Sequence, residues 1–195
     1  SGIDQLRFHP RCYYRPAEDD VPGVREAWPA MIAAVTDNEG TITGVHRTWL
    51  DPQSYDKAAV AYPRRAMGHL LGSGVRFGKA DGVMVAGEGL ETLLSLRQVM
   101  PSMAMIAGLS AAHLAAIQLP AALRCLYVAR DDDPAGAAAL STLAERCDPL
   151  GIAVLPLEPR LDDFNSDLTA YGHERLAAAI RVQLSAADAV QFLKV

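Results

Sequence analysis

Arg130-Asp131-Asp132-Asp133-Pro134-Ala135-Gly136 decides how this chain is read. The apolar run Leu123 to Ala129 precedes it and reads as a buried strand. Three carboxylates at the end of a strand, followed at once by a helix start, repel one another unless a positive charge binds there. Magnesium or manganese suits the position, because hard divalent cations prefer carboxylate oxygens. Asp131 and Asp133 are two residues apart, so an extended backbone points both side chains the same way. Asp133 can also cap the following helix, with Pro134 at its first position. A plain acidic capping turn is the competing explanation of the same residues.

Two further stretches repeat the arrangement. Val83-Met84-Val85-Ala86 is a short apolar strand that ends in Gly87-Glu88-Gly89-Leu90-Glu91-Thr92, and a helical pattern follows to Gln98. Glu88 stands between two glycines, where another backbone can approach closely. Ile152 to Leu157 reads as a strand, and Asp162-Asp163-Phe164-Asn165 follows shortly after it. Three strands therefore deliver acids to one edge of one sheet. In open α/β sheets that edge is where ligands bind.

Glu88, then Asp131 and Asp133, then Asp163 resembles the Toprim domain shared by bacterial-type primases, topoisomerases and some nucleases. The versions "EGLET", "DDDPAG" and "DDFNSD" are most similar to the primase branch found in phages, plasmids and other mobile elements. The resemblance spans roughly residues 81 to 184. It implies a Toprim-like α/β fold, with a parallel sheet flanked by helices. It also implies Mg2+ or Mn2+ held by Glu88, Asp131, Asp133 and Asp163, with Glu88, Asp131 and Asp133 as the catalytic core. Glu88 serves as general base or as ligand in that scheme. Two departures stand out. Thr92 occupies a position where replicative primases carry an aspartate, and Asn165 replaces a further acid. Asp132 should point away from its neighbours, and Asp162 is ambiguous.

After the first 80 residues, strands and helices alternate: strands 83–86, 103–107, 123–129 and 152–157, and helices 90–98, 110–118, 134–146 and 167–184. That pattern predicts a mainly parallel sheet with helices on both faces. The tail 185–195 reads as a short turn or a partly disordered end. Before residue 80 the pattern is β-rich. Leu6 to Tyr14 is extended, with Pro10 limiting it to an edge, and Arg15 to Arg25 is a loop. Trp28 to Thr36 and Thr41 to Leu50 form a hairpin around Asp37-Asn38-Glu39-Gly40. The sequence therefore divides into residues 1–80, a smaller β-rich α+β subdomain, and residues 81–195, the Toprim-like catalytic domain.

The resemblance gives the first subdomain the task of holding template and nucleotide. Arg47, Lys57, Arg64 and Arg65 are its candidate phosphate contacts, since guanidinium groups match phosphate geometry. Arg47 shares a strand face with Val45 and Trp49, and Trp49 can stack on a base or pack beneath the arginine. Gly72, Gly74 and Gly78 read as a connector rather than a phosphate loop.

The net charge is −5, so the chain is no general polycation. Residues 1–80 carry a balance of +1 and residues 81–195 a balance of −6, which concentrates acid in the half with the candidate metal site. Cys12, Cys125 and Cys147 are far apart and form no CxxC. A zinc ribbon is therefore not expected, and the zinc-binding module of complete primases has no counterpart here. Cys125 is expected to be a core thiol, and the pair His9 and Cys12 to be structural. No run is apolar enough to span a bilayer and no signal peptide is visible, so the expected compartment is the cytoplasm.

Together these readings point to primase-type nucleotidyl transfer: RNA primer synthesis on single-stranded DNA from nucleoside triphosphates. A metal-dependent nuclease, and a non-catalytic nucleic-acid-binding module of a mobile element, are the alternatives. A replicative helicase or a zinc-binding module outside this chain would be its protein partners, and no membrane is expected.

Overall fold

Short apolar runs of four or five residues are too brief for helices, and here they pair side by side. In the computed structural model, which describes residues 4–54, 56–131 and 133–193, they form β6 (Val83–Gly87), β7 (Ala104–Ala107), β8 (Cys125–Ala129) and β9 (Ala153–Leu157). These four are parallel, and β5 (Val75–Phe77) joins one edge antiparallel to β7, giving the order β5-β7-β6-β8-β9. Gly87 is level with both Ala107 and Ala129, and Ala129 with Leu157. The four parallel strands therefore end at one height, and the residues that follow them form one rim.

Side-chain alternation along these strands builds two cores. Met84, Ala86, Ile106, Leu126 and Val128 pack with Leu114, Ala139, Leu143 and Cys147 of α2 (Ala111–Ala116) and α3 (Pro134–Cys147). Val85, Met105 and Tyr127 point to the opposite face, where α1 (Leu90–Val99) and α4 (Phe164–Arg181) pack on each other. Helices thus cover both faces, as the alternating pattern predicts. Helix α4 starts three residues earlier than expected because Asp163 caps it, and it kinks at Gly172, where φ is 78°.

The tail folds into a helix, α5 (Ala186–Phe192), where the sequence suggests a turn or a disordered end. The reason lies under β8. The buried Tyr127 hydroxyl donates to Asp188 at 2.7 Å and accepts from the Ser185 amide at 2.9 Å, while Ser185 caps α5. Tyr127→Phe leaves these groups short of a partner and should lower stability by about 1–2 kcal/mol, read as a shifted urea midpoint at constant slope. An unchanged midpoint would mean that α5 does not depend on this clasp.

The compact units divide between Leu70 and Leu71, ten residues before the sequence-based boundary. The difference is β5, whose few residues between glycines give no strong strand signal but complete the second unit's sheet. The glycines around it are indeed connector and edge: a Cβ at Gly74 would lie 2.6 Å from the Ala107 carbonyl. The first unit is a four-stranded antiparallel sheet, β1 (Leu6–Tyr13), β2 (Ala27–Thr36), β3 (Ile42–Trp49) and β4 (Arg64–Gly68), in that spatial order. Asp37 folds the β2–β3 turn by accepting from the Glu39 and Thr41 amides. Cys12, Tyr14, Ala30, Trp49 and Ala58 form its core.

Candidate active site

The rim of the parallel sheet gathers the acids. Glu88 follows β6 directly, in the turn that starts α1 at Leu90. Its backbone is fixed from the neighbouring strand: the Gly108 amide donates to the Gly87 carbonyl and the Leu109 amide to the Glu88 carbonyl, each at 2.9 Å. Leu109 makes that bond from a left-handed conformation, φ 73°, the one non-glycine with positive φ among the described residues. Such a conformation costs a leucine about 1–2 kcal/mol, so the fold spends strain beside Glu88.

Asp131 is the centre of the group. Its Oδ1 is buried without a hydrogen-bond partner among the described residues, while the buried Thr92 hydroxyl hydrogen-bonds the carboxylate. Desolvation, then the charges of Glu88, Asp163 and Asp133, push its pKa up to about 6. The other three acids named by the sequence therefore all act on Asp131. Asp133 turns Oδ1 onto the Gly136 amide at 2.7 Å, capping α3, and Asp163 turns Oδ1 onto the Ser166 amide at 2.6 Å, capping α4. Capping and ion binding are compatible here, since a carboxylate has a second oxygen. Arg130 pairs with Glu158 at 2.9 Å and ties the ends of β8 and β9.

The raised pKa has a signed consequence. The folded chain holds the Asp131 proton more tightly than the unfolded chain, whose aspartates titrate near 3.8. Metal-free stability should therefore fall as pH rises from about 4 to about 6, by at most about 3 kcal/mol, and by about 1–2 once partial exposure is allowed for. Asp131→Asn should remove this part of the profile in urea titrations at pH 4.5 and 7.5 in chelator. Equal profiles for the two proteins would show that Asp131 is solvated normally.

The residue types suit a hard cation: the donors are carboxylate oxygens, and one of them, Asp131 Oδ1, is buried without a partner among the described residues. Among the described residues no three His, Cys, Asp or Glu side chains close around a single point, which agrees with two of the carboxylates being turned onto helix amides. Asp132 lies outside the described residues, and Asp162 is exposed.

In the first unit, Arg47 and Arg65 face each other across β3 and β4. The Arg47 guanidinium lies 5.0 Å from the Trp49 ring centroid, and that of Arg65 lies 4.5 Å from Tyr14 and 5.6 Å from Tyr62. Trp49 is 1% exposed, so it packs beneath the arginines and has no face for a base. Arg64 alternates to the opposite face of β4, and Lys57 is an exposed loop residue. Arg47 and Arg65 are thus brought together, and Arg64 faces away from that pair.

Residues 83–174 match the Toprim domain family, and residues 1–77 match a domain of unknown function, DUF7146. The second unit is a Toprim domain. Three solved structures share its fold and the preceding sheet. The chain is 20% identical to a DNA primase domain from Pseudomonas aeruginosa, with a TM-score of 0.53 over 87% of this chain and 56% of that one. It is 19% identical to the primase fragment of the bacteriophage T7 primase-helicase protein, with a TM-score of 0.54 over 84% of this chain and 64% of that one. It is 17% identical to the Aquifex aeolicus primase, zinc-binding and RNA polymerase domains, with a TM-score of 0.52 over 93% of this chain and 45% of that one. At these identities the likeness is one of fold, and the chain spans less than two thirds of each of these structures. No curated protein sequence matches.

Within the Toprim domain, the sequence names the acids but misses the residues that hold them. Asp167 is buried and accepts from the Arg160 and Leu161 amides at 2.8 and 2.9 Å, which fixes the loop leading to Asp163. Its place four residues after another aspartate is the available signal. Thr92, a departure from the family pattern, proves to be a direct neighbour of Asp131. Leu109 carries no signal at all, because leucine is not a residue that announces positive φ.

Proposed function

We propose that this chain carries out metal-dependent nucleotidyl transfer on nucleic acid, of the kind that makes an RNA primer on single-stranded DNA from nucleoside triphosphates. The observation that supports the reading is the buried oxygen of Asp131, partnerless among the described residues, in a rim where Glu88, Asp163 and Asp133 all act on that carboxyl. Asp131, Asp133, Asp163 and Glu88 would hold magnesium or manganese, which when bound neutralises the triphosphate and aligns the attacking hydroxyl. Glu88, on a backbone pinned by Gly108 and Leu109, would take the proton from that hydroxyl. Thr92 would keep the Asp131 carboxylate oriented. Arg47 and Arg65, with Lys57 and Arg64 as further candidates, would meet template phosphates in the first unit. A replicative helicase, or a zinc-binding module carried elsewhere, would be the protein partner. No described helix is long and apolar enough to cross a membrane.

The test is incubation with single-stranded DNA, labelled nucleoside triphosphates and magnesium or manganese, followed by product sizing on a gel. New labelled oligonucleotides support primer synthesis. Shortened DNA would reassign the site to phosphodiester hydrolysis, and unchanged DNA and nucleotides would leave a binding module. Arg47→Ala is expected to weaken single-stranded DNA binding and to lower the salt slope by about 0.7. An unaltered slope would make this arginine part of the scaffold around Trp49.

A further inference from the structure

Strand β1 carries a pattern that the acidic rim does not use. From Gln5 to Ala17 the chain holds Arg7, Arg11, Arg15 and His9 and no acidic residue. Phe8 and Tyr13 interleave with these cations. β1 is an edge strand, bonded only to β2 among the described strands, and six of its eight residues are exposed. Phe8 is 68% and Tyr13 59% exposed. Phe8 lies opposite Met31 and Tyr13 opposite Ala27, an even spacing on β2, so the two rings share one face of the sheet. At about 3.3 Å per residue they stand about 13 Å apart, enough to take different bases of one strand.

An exposed aromatic edge invites either a strand from another protein or a ligand that uses side chains. The backbone of β1 argues against the first. Its register breaks between His9 and Cys12, Pro10 has no amide to give, and the Arg11 amide is taken by His9 Nδ1 at 3.2 Å. The charge argues for the second, since Arg11 lies between the two exposed rings and suits a phosphate between bases. We propose that β1 is a binding strand for single-stranded nucleic acid, with Phe8 and Tyr13 stacking on bases and Arg11 meeting phosphate. This contact is separate from Arg47 and Arg65. Arg47 lies opposite Ile32, on the other face of the sheet from Phe8. The inference rests on the nucleic-acid reading above and names where the strand is held.

The experiment is fluorescence anisotropy of a labelled oligodeoxythymidine with the full chain across a salt series. Phe8→Ala should weaken binding about ten-fold, within the range of a lost base stack, and Phe8→Trp should restore it. Arg11→Ala should lower the salt slope by about 0.7. If the native chain binds and Phe8→Ala binds equally well, the β1 proposal falls and the nucleic-acid reading stands. If the native chain binds no oligonucleotide at low salt, both fall. If Phe8→Ala instead converts a dimer to a monomer in gel filtration, the strand pairs with a second copy and the proposal is wrong.

Discussion

Asp131→Asn combined with Asp133→Asn should abolish the proposed nucleotidyl transfer, by more than about a thousand-fold, while the protein stays folded. The loss follows from removing two of the four proposed carboxylate ligands, including the one whose Oδ1 has no other partner among the described residues. The fold should survive for separate reasons. A neutral amide at position 131 no longer repels Glu88 and Asp163, so metal-free stability at pH 7.5 should hold or rise. Asparagine is as good a helix cap as aspartate, so the bond from the Gly136 amide persists. Activity assays and thermal melts in chelator check both halves. A large fall in melting temperature would assign these aspartates to architecture instead of chemistry.

Gly136→Val should disrupt the same site from a residue that carries no charge. Gly136 is buried in the first turn of α3. A Cβ there would sit 2.8 Å from the Asp131 carbonyl oxygen and 3.3 Å from Asp133 Oδ1. The first of these atoms is backbone and cannot rotate away, so either α3 or the Asp131 loop must move. Overpacking of this kind costs about 1–3 kcal/mol, and losing the Asp133 cap about 1 more. A fall in melting temperature of about 5–10 °C is expected for a chain of this size, with loss of activity at temperatures where the variant is folded. Ala135→Ser, one residue away and exposed, is the control. A Gly136→Val protein with native activity would show that the Asp131 loop tolerates displacement.

Much of this is legible in the order of residues. Four apolar runs, each with an acid or a glycine shortly after it and then a helix, announce a parallel sheet and the rim where its acids gather. Glu88, Asp131, Asp133 and Asp163 are readable because several carboxylates at strand ends have few explanations. What is not legible depends on contacts between distant segments. The strand at Val75–Phe77 exists because Ala107 and Met105 offer it an edge. Helix α5 exists because Tyr127 reaches Asp188, sixty-one residues away in sequence. The strand position of Trp49 leaves it open to a base, but Tyr14 packs edge-on against it at 5.1 Å and the loops bury the rest. Arg65 reads as a candidate phosphate contact, and its place among three rings is not visible in the sequence.

The carboxylate rim of the second unit is proposed to bind a divalent cation. Soaking crystals in manganese and collecting anomalous diffraction tests it directly. A peak is expected within about 2.0–2.5 Å of an Asp131 oxygen and of at least one of Glu88, Asp133 and Asp163. The peak should weaken in crystals equilibrated below pH 6, where Asp131 takes up its proton. Manganese bound only at acids remote from this rim would show that the rim is not a cation site.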